Sequence, residues 1–131
     1  MGRADVKLAL KEILEDLGIF YKIYLEPTDI EKEKSFPIAW ISLGSENIGN
    51  GDLSVTCYMR NVSLEITVGS KHTSTSSMDM DDLLDKVFEA IKSNYTINGT
   101  AINLAPLSIV TDRGYFHPYS LASLMFTVQL R

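Results

Sequence analysis

The sequence is poor in the residues that carry covalent and metal chemistry. Cysteine occurs once, at Cys57. No internal disulfide and no paired-cysteine metal site can form, and a buried, inert thiol is the simple reading. The two histidines, His72 and His117, stand far apart with no cysteine or second histidine beside either. Zinc ligands and general bases need partners, so surface loop positions are the expectation for both. No GxSxG nucleophile motif occurs. No apolar run approaches the ~18–20 residues of a membrane span. Met1-Gly2-Arg3-Ala4-Asp5 lacks the apolar core of a signal peptide, which makes a cytosolic product the expectation. Positive charge is also in deficit, with 12 basic residues against 17 acidic and a net charge of −5. Domains whose task is to grip nucleic-acid phosphates are usually basic, so that class is disfavoured.

What is present is one soluble globular domain. Its 131 residues are 45% hydrophobic and 22% charged, enough for a core without staples. Val6, Leu10, Ile13, Leu14 and Leu17 make one apolar stripe, which predicts a helix over 4–17 ended by Gly18 in a left-handed cap. Ile19 to Leu25 is aromatic and β-branched and reads as a strand. Glu26 to Ser35 reads as a solvated loop. A long hairpin then runs from about Pro37 to Gly69, with Asn50-Gly51 as a two-residue tip. Arms of ~12 residues reach ~40 Å, against a radius of gyration of ~14 Å for a domain of this length, so the tip should project. On the return arm Val62, Leu64, Ile66 and Val68 share one face, whereas Val55, Cys57 and Met59 have the opposite parity. A bulge or twist near Arg60-Asn61 would reconcile them.

Ser76-Ser77-Met78-Asp79 fits a capping box. It opens a second helix over about 79–93, with Met80, Leu83, Leu84, Val87, Phe88 and Ile91 inward. Asn98-Gly99 marks a turn. Leu107 to Thr111 and Leu121 to Leu130 read as strands, the latter with Ala122, Leu124, Phe126, Val128 and Leu130 on one face. Antiparallel pairings with two helices predict an α+β fold, two helices on a mixed, mainly antiparallel sheet with a projecting hairpin. Two helices cannot cover both faces of such a sheet, so part of its surface or edge needs another cover.

Three segments invite a chemical reading. Asp79, Asp81 and Asp82 cluster, but without the glycine and distant glutamate of a calcium loop, and acids in a first helical turn are favoured by the helix dipole. Gly44 to Gly51 is glycine-rich but lacks the lysine of a P-loop and has no helix after it, so hairpin flexibility explains it better. Arg113 to Tyr119 packs three aromatics into a turn. It reads either as a protein-contact loop, since Tyr, Phe and Arg anchor interfaces, or as a lid on its own domain.

The order of these pieces resembles the tail-terminator (tail-completion) proteins of long-tailed bacteriophages. An N-terminal helix, Val6 to Leu17, leads into an aromatic strand. Phe36-Pro37-Ile38-Ala39-Trp40-Ile41 opens the hairpin. Leu64-Glu65-Ile66-Thr67-Val68-Gly69 precedes a loop and the helix Asp81 to Ile91. A short Pro-Leu-Ser-Ile-Val strand and Leu124-Met125-Phe126-Thr127-Val128 close the pattern. The resemblance implies a hexameric ring that caps the tail tube and faces the head-connector side. It implies no catalytic residue, cofactor or metal, and no membrane. The implied partners are further copies of the chain, the tail-tube protein, a neck or head-completion protein, and DNA passing through the lumen without specific binding. The implied location is the tail–neck region of the virion, with host cytoplasm during assembly. Candidate contact residues are Glu46, Asn47, Asn50, Gly51 and Asp52 at the hairpin tip, Lys71 and His72 in the following loop, and Arg113, Tyr115, Phe116 and Tyr119 in the aromatic turn. A head–tail joining or head-closure protein, and a small-ligand-binding α+β domain, are the alternatives.

Overall fold

The computed structural model describes residues 2–50, 58–71, 76–112 and 119–130. The elements are α1 (Arg3–Asp16), β1 (Lys22–Tyr24), a 3₁₀ turn (Ile30–Lys32), β2 (Ile38–Asn50), β3 (Tyr58–Lys71), α2 (Ser76–Lys92), β4 (Asn103–Thr111) and β5 (Tyr119–Leu130). The strands form one sheet in the order β1-β2-β3-β5-β4. β1 lies parallel to β2 and every other pairing is antiparallel. The expected α+β class, mixed and mainly antiparallel, is therefore the one the chain adopts. No helix among the described residues is long and apolar enough to cross a membrane.

α1 buries Val6, Ala9, Leu10, Ile13 and Leu14, and its first turn is tied by Gly2 N–H donating to the Asp5 carboxylate at 3.1 Å. Gly18 takes φ +67° just past its end, the left-handed conformation that disfavours a Cβ. β1 is shorter than the aromatic run that contains it. β2 continues past Trp40 to Asn50, but the chain leaves the pairing after Tyr24, where the Leu25 carbonyl accepts from Lys7 Nζ.

The hairpin arms pair from Ile38↔Gly69 to Asn50↔Tyr58. A two-residue turn at Asn50-Gly51 would set Gly49 opposite Asp52, but Gly49 stands opposite Met59. The arms therefore part at Asn50 and Tyr58, and residues 51–57, with Gly51 and Asp52, lie outside the described residues. Arg60 and Asn61 pair in regular register, without the expected bulge, and the irregularity lies on β2 instead. Leu43 pairs with Leu64 and Glu46 with Val62, so Gly44 and Ser45 together oppose Ser63. β3 itself pairs without interruption with β5 from Arg60 to Lys71.

α2 starts at Ser76, earlier than the capping-box reading places it, so Ser76 and Ser77 are inside the helix. Met80, Leu84, Val87 and Ile91 are buried, with Leu83 and Phe88 partly so. After it, Ile97, Asn98 and Gly99 all have positive φ. Ile97, β-branched and costly there, is held by complete burial and by the Asn94 side chain, which accepts from Asn98 N–H at 2.9 Å. β4 begins at Asn103, before the predicted Leu107. Pro106 is tolerated because β4 is an edge strand, and a bulge follows at Leu107.

Val62, Leu64, Ile66 and Val68 of β3 and Ala122, Leu124, Phe126, Val128 and Leu130 of β5 are buried together against both helices. Phe126 stacks on Phe88 of α2 with centroids 6.4 Å apart. Among the described residues neither α1 nor α2 lies over the opposite sheet face. It carries Ser42, Ser63, Glu65, Thr67 and Ser123, with the last two hydroxyls 3.1 Å apart. At one end of that face Ile30 reaches over Gly69, where a Cβ would lie 3.0 Å from Ile30 Cδ1 and 3.3 Å from Ile38 Cγ1.

Candidate functional site

The described contact candidates fall at opposite ends of the sheet, Glu46, Asn47 and Asn50 at one and Lys71 and Tyr119 at the other. Nine positions of β3 separate Val62, the partner of Glu46, from Lys71, the partner of Tyr119. At ~3.3 Å per residue the two groups stand ~30 Å apart.

At the hairpin end, the bulge at Gly44-Ser45 shifts β2 parity by one residue. Glu46 therefore faces the helix layer, on the same side as Val62, instead of pointing to the open face. There it meets two arginines. Arg60 Nε donates to Glu46 Oε2 at 2.6 Å and Arg60 Nη2 to Oε1 at 3.0 Å. Arg3, from the first turn of α1, donates to Oε1 at 3.2 Å. The same Arg3 guanidinium also donates to the carbonyls of Leu43 and Gly44 at 3.0 and 2.9 Å. A bulge interrupts the ladder and leaves main-chain groups without strand partners. Arg3 supplies donors at that interruption and clips α1 to the hairpin.

These contacts hold the Glu46 carboxyl at about 2, well below its ordinary 4.5. The hydrogen bond from Arg60 is the main cause; burial opposes it and Arg3 adds to it. The Arg60 guanidinium is held more firmly protonated for the same reason. Both Glu46 oxygens are thus engaged within the domain. Asn47 is exposed opposite Asn61, and Asn50 ends the paired arm.

At the other end, Lys71 and Tyr119 are register partners. Lys71 is exposed, and the Tyr119 ring packs on Phe36 at 5.9 Å. Tyr119 is therefore part of an aromatic contact within its own domain. The chain leaves β3 and enters β5 side by side here, so the two expected contact loops are rooted together. His72, Arg113, Tyr115 and Phe116 lie outside the described residues. Asp81 and Asp82 of the acidic cluster are helix surface, with Asp82 paired to Lys86 at 3.0 Å.

Sequence reasoning did not single out β4. Leu107, Val110 and Ile109 are 65%, 54% and 46% exposed on it. Beside Leu107 and Ile109 an open groove of about 250 Å³ runs between β4 and α2, lined by Phe88, Pro106, Leu107, Ile109, Leu124 and Met125 among others, whereas Val110 lies on the other face opposite Ser123. The signal was available: a proline inside a strand marks an edge, and adjacent Ile109-Val110 must send an apolar side chain to each face. The groove is apolar and shallow. It offers cover to another surface better than it orients a small molecule.

No family model matches the chain, and no curated protein does. In fold the chain is similar to a solved chain of the virion of a native gene transfer agent particle, with a TM-score of 0.52 and 12% identity. The likeness spans 95% of this chain and 92% of that one. At that identity it is a likeness of fold.

Proposed function

We propose that this chain is a structural protein of a phage-type particle that caps the assembled tail tube as a hexameric ring and presents the joining surface to the neck. The observation that carries the reading is the fold likeness to a virion chain over nearly the whole of both molecules. The order of sequence elements supports the finer assignment. So does the separation of the candidate contacts into two groups ~30 Å apart along the strands, which suits a subunit with one partner above and another below. A tube grows because the top of each ring matches the bottom of the next, a contact that does not close on itself. A terminator matches the last ring on one side and ends the series on the other.

The test is negative-stain imaging of the purified protein with its tail-tube protein. Capped ends and arrested growth are expected. Tubes that stay uncapped and keep growing refute the role. Binding to portal-side complexes in place of tube ends assigns the protein to the neck instead.

A further inference from the structure

We infer that Arg3 is a positioning residue: from the first turn of α1 its guanidinium fixes the direction in which the hairpin arm leaves the sheet, and so governs capping without touching the tube. The inference rests on the proposed capping role and adds to it what aims the arm.

The sheet supports the hairpin only over its inner part. β1 pairs with β2 as far as Trp40, so β3 is the single strand neighbour of β2 from Ile41 onward. β5 pairs with β3 from Lys71 to Arg60, where Arg60 meets Leu130. Past Arg60 the described arm is a two-stranded ribbon, with Gly49 opposite Met59 and Asn50 opposite Tyr58. Such a ribbon is marginal by itself and depends on its root. The root also holds the bulge at Gly44-Ser45, and a bulge bends and twists the strand that carries it. Little packs on that bulge. Gly44 and Ser45 are exposed, and a Cβ on Gly44 would meet no atom nearer than 3.5 Å.

Arg3 spans this joint. Its Nη2 donates to the carbonyls of Leu43 and Gly44 on the inner side of the bulge, at 3.0 and 2.9 Å. Its Nη1 donates to Glu46 Oε1 on the outer side, at 3.2 Å. Glu46 in turn holds Arg60 through both carboxylate oxygens, and Arg60 ends the described pairing of β3 with β5. The contacts therefore run from the helix, across the bulge, to both strands of the arm. Arg3 itself stands on a fixed base. Val6 and Leu10 of α1 are fully buried, and Val6 N–H donates to the Gly2 carbonyl at 3.2 Å. A planar fork can hold two carbonyls and a carboxylate in one geometry, which an ammonium on a flexible stem does not. With its side chain 38% exposed, Arg3 adds little stability as an ion pair. Its reach sets an angle instead.

The experiment places spin labels on Asn50→Cys in the arm and Glu89→Cys in α2, in a Cys57→Ser background. Pulsed electron paramagnetic resonance reads the distance distribution with Arg3, Arg3→Ala and Arg3→Lys. Both variants should keep the circular dichroism of the parent and broaden the distribution. In unlabelled Arg3→Ala, amides of residues 47–50 and 58–59 should exchange roughly tenfold faster, and those of 64–68 at the wild-type rate. Unlabelled Arg3→Ala should also cap tubes roughly tenfold more weakly, because an arm that is no longer held in place must be ordered on binding. A distribution as narrow in either variant as in the parent overturns the inference and leaves the capping role standing. So does wild-type capping by a variant whose arm has broadened. Faster exchange spread evenly over 64–68 makes Arg3 a general stabiliser and also overturns it. If the wild type does not cap tubes, the capping reading falls, and the distance distributions still decide what aims the arm.

Discussion

Truncating Phe126 tests the packing that sets the helix layer on the sheet. Its ring is 1% exposed, pairs across to Leu64 and Pro106, and stacks on Phe88 of α2. Phe126→Ala removes most of a buried ring and leaves a cavity between sheet and helix, at a cost of about 3–5 kcal/mol. Domains of this kind hold about 5–15 kcal/mol in total, so the variant should fold but stand near its limit. With a urea m-value of ~1.5–2 kcal/mol per M, the unfolding midpoint should fall by ~2 M. Phe126→Leu keeps most of the volume and should cost under about 1.5 kcal/mol. Combined with Phe88→Leu in a double-mutant cycle, it should return a coupling of ~0.5–1.5 kcal/mol for the ring pair. Urea titration followed by the fluorescence of Trp40, the single tryptophan, reads all of these. A Phe126→Ala variant that loses less than about 1 kcal/mol at unchanged m would refute the packing argument, because a fully buried ring cannot be removed so cheaply.

Other expectations concern the hairpin and the turns. The folded Glu46 carboxyl titrates at about 2 against an ordinary 4.5. Its depressed value makes its contribution fully present above pH 4.5 and lost as pH falls toward about 2. Within that window wild-type unfolding should take up as much as about one proton more than Glu46→Gln; parallel stability–pH curves for the two proteins would count against the ion-pair cluster. Gly18→Ala meets open space but must keep φ +67°, so it should lose about 1–2 kcal/mol from backbone strain alone, read by thermal melting. Gly69→Val drives branched carbons into Ile30 and Ile38 and should cost ~1–3 kcal/mol, whereas Gly69→Ala should cost less because the nearest atom is the movable end of Ile30. Replacing residues 51–57 by a short Gly-Ser turn should leave the melting curve nearly unchanged and abolish tube capping; retained capping would move the tube contact away from the hairpin tip.

Local chemistry explains which parts were legible beforehand. The stripe from Val6 to Leu17 and the glycine cap at Gly18 are short-range features. The alternation of β3 and β5 follows from strand geometry, and these elements were readable. The errors share one cause, dependence on a partner strand. β1 is cut to three residues because the chain leaves β2 after Tyr24, although β2 continues to Asn50. The odd parity of Val55, Cys57 and Met59 against Val62 onward suggests a bulge or twist near Arg60-Asn61, whereas the interruption of the hairpin pairing lies on β2 at Gly44-Ser45. A strand starting at Leu107 is too short, because Pro106 is compatible with a strand at a sheet edge. Glu46 illustrates the result for the site. By position it belongs to the hairpin tip, and only the bulge turns it toward Arg3 and Arg60.

The central place of β3 has a consequence for the growing chain. Its first partner, β2, precedes it directly, but its second, β5, follows only after α2 and β4 have been made. During synthesis the hairpin waits with one edge of β3 unpaired. That edge carries Val62-Ser63-Leu64-Glu65-Ile66-Thr67-Val68, a β-prone run of the kind that joins strands from other chains. Glu65 is its one charge. In the finished sheet Glu65 lies on the open face, away from the core. In the unfinished chain it interrupts an otherwise uncharged strand, which is where a gatekeeper acts. Glu65→Val should therefore leave the native sheet stable and reduce the yield of soluble protein during expression.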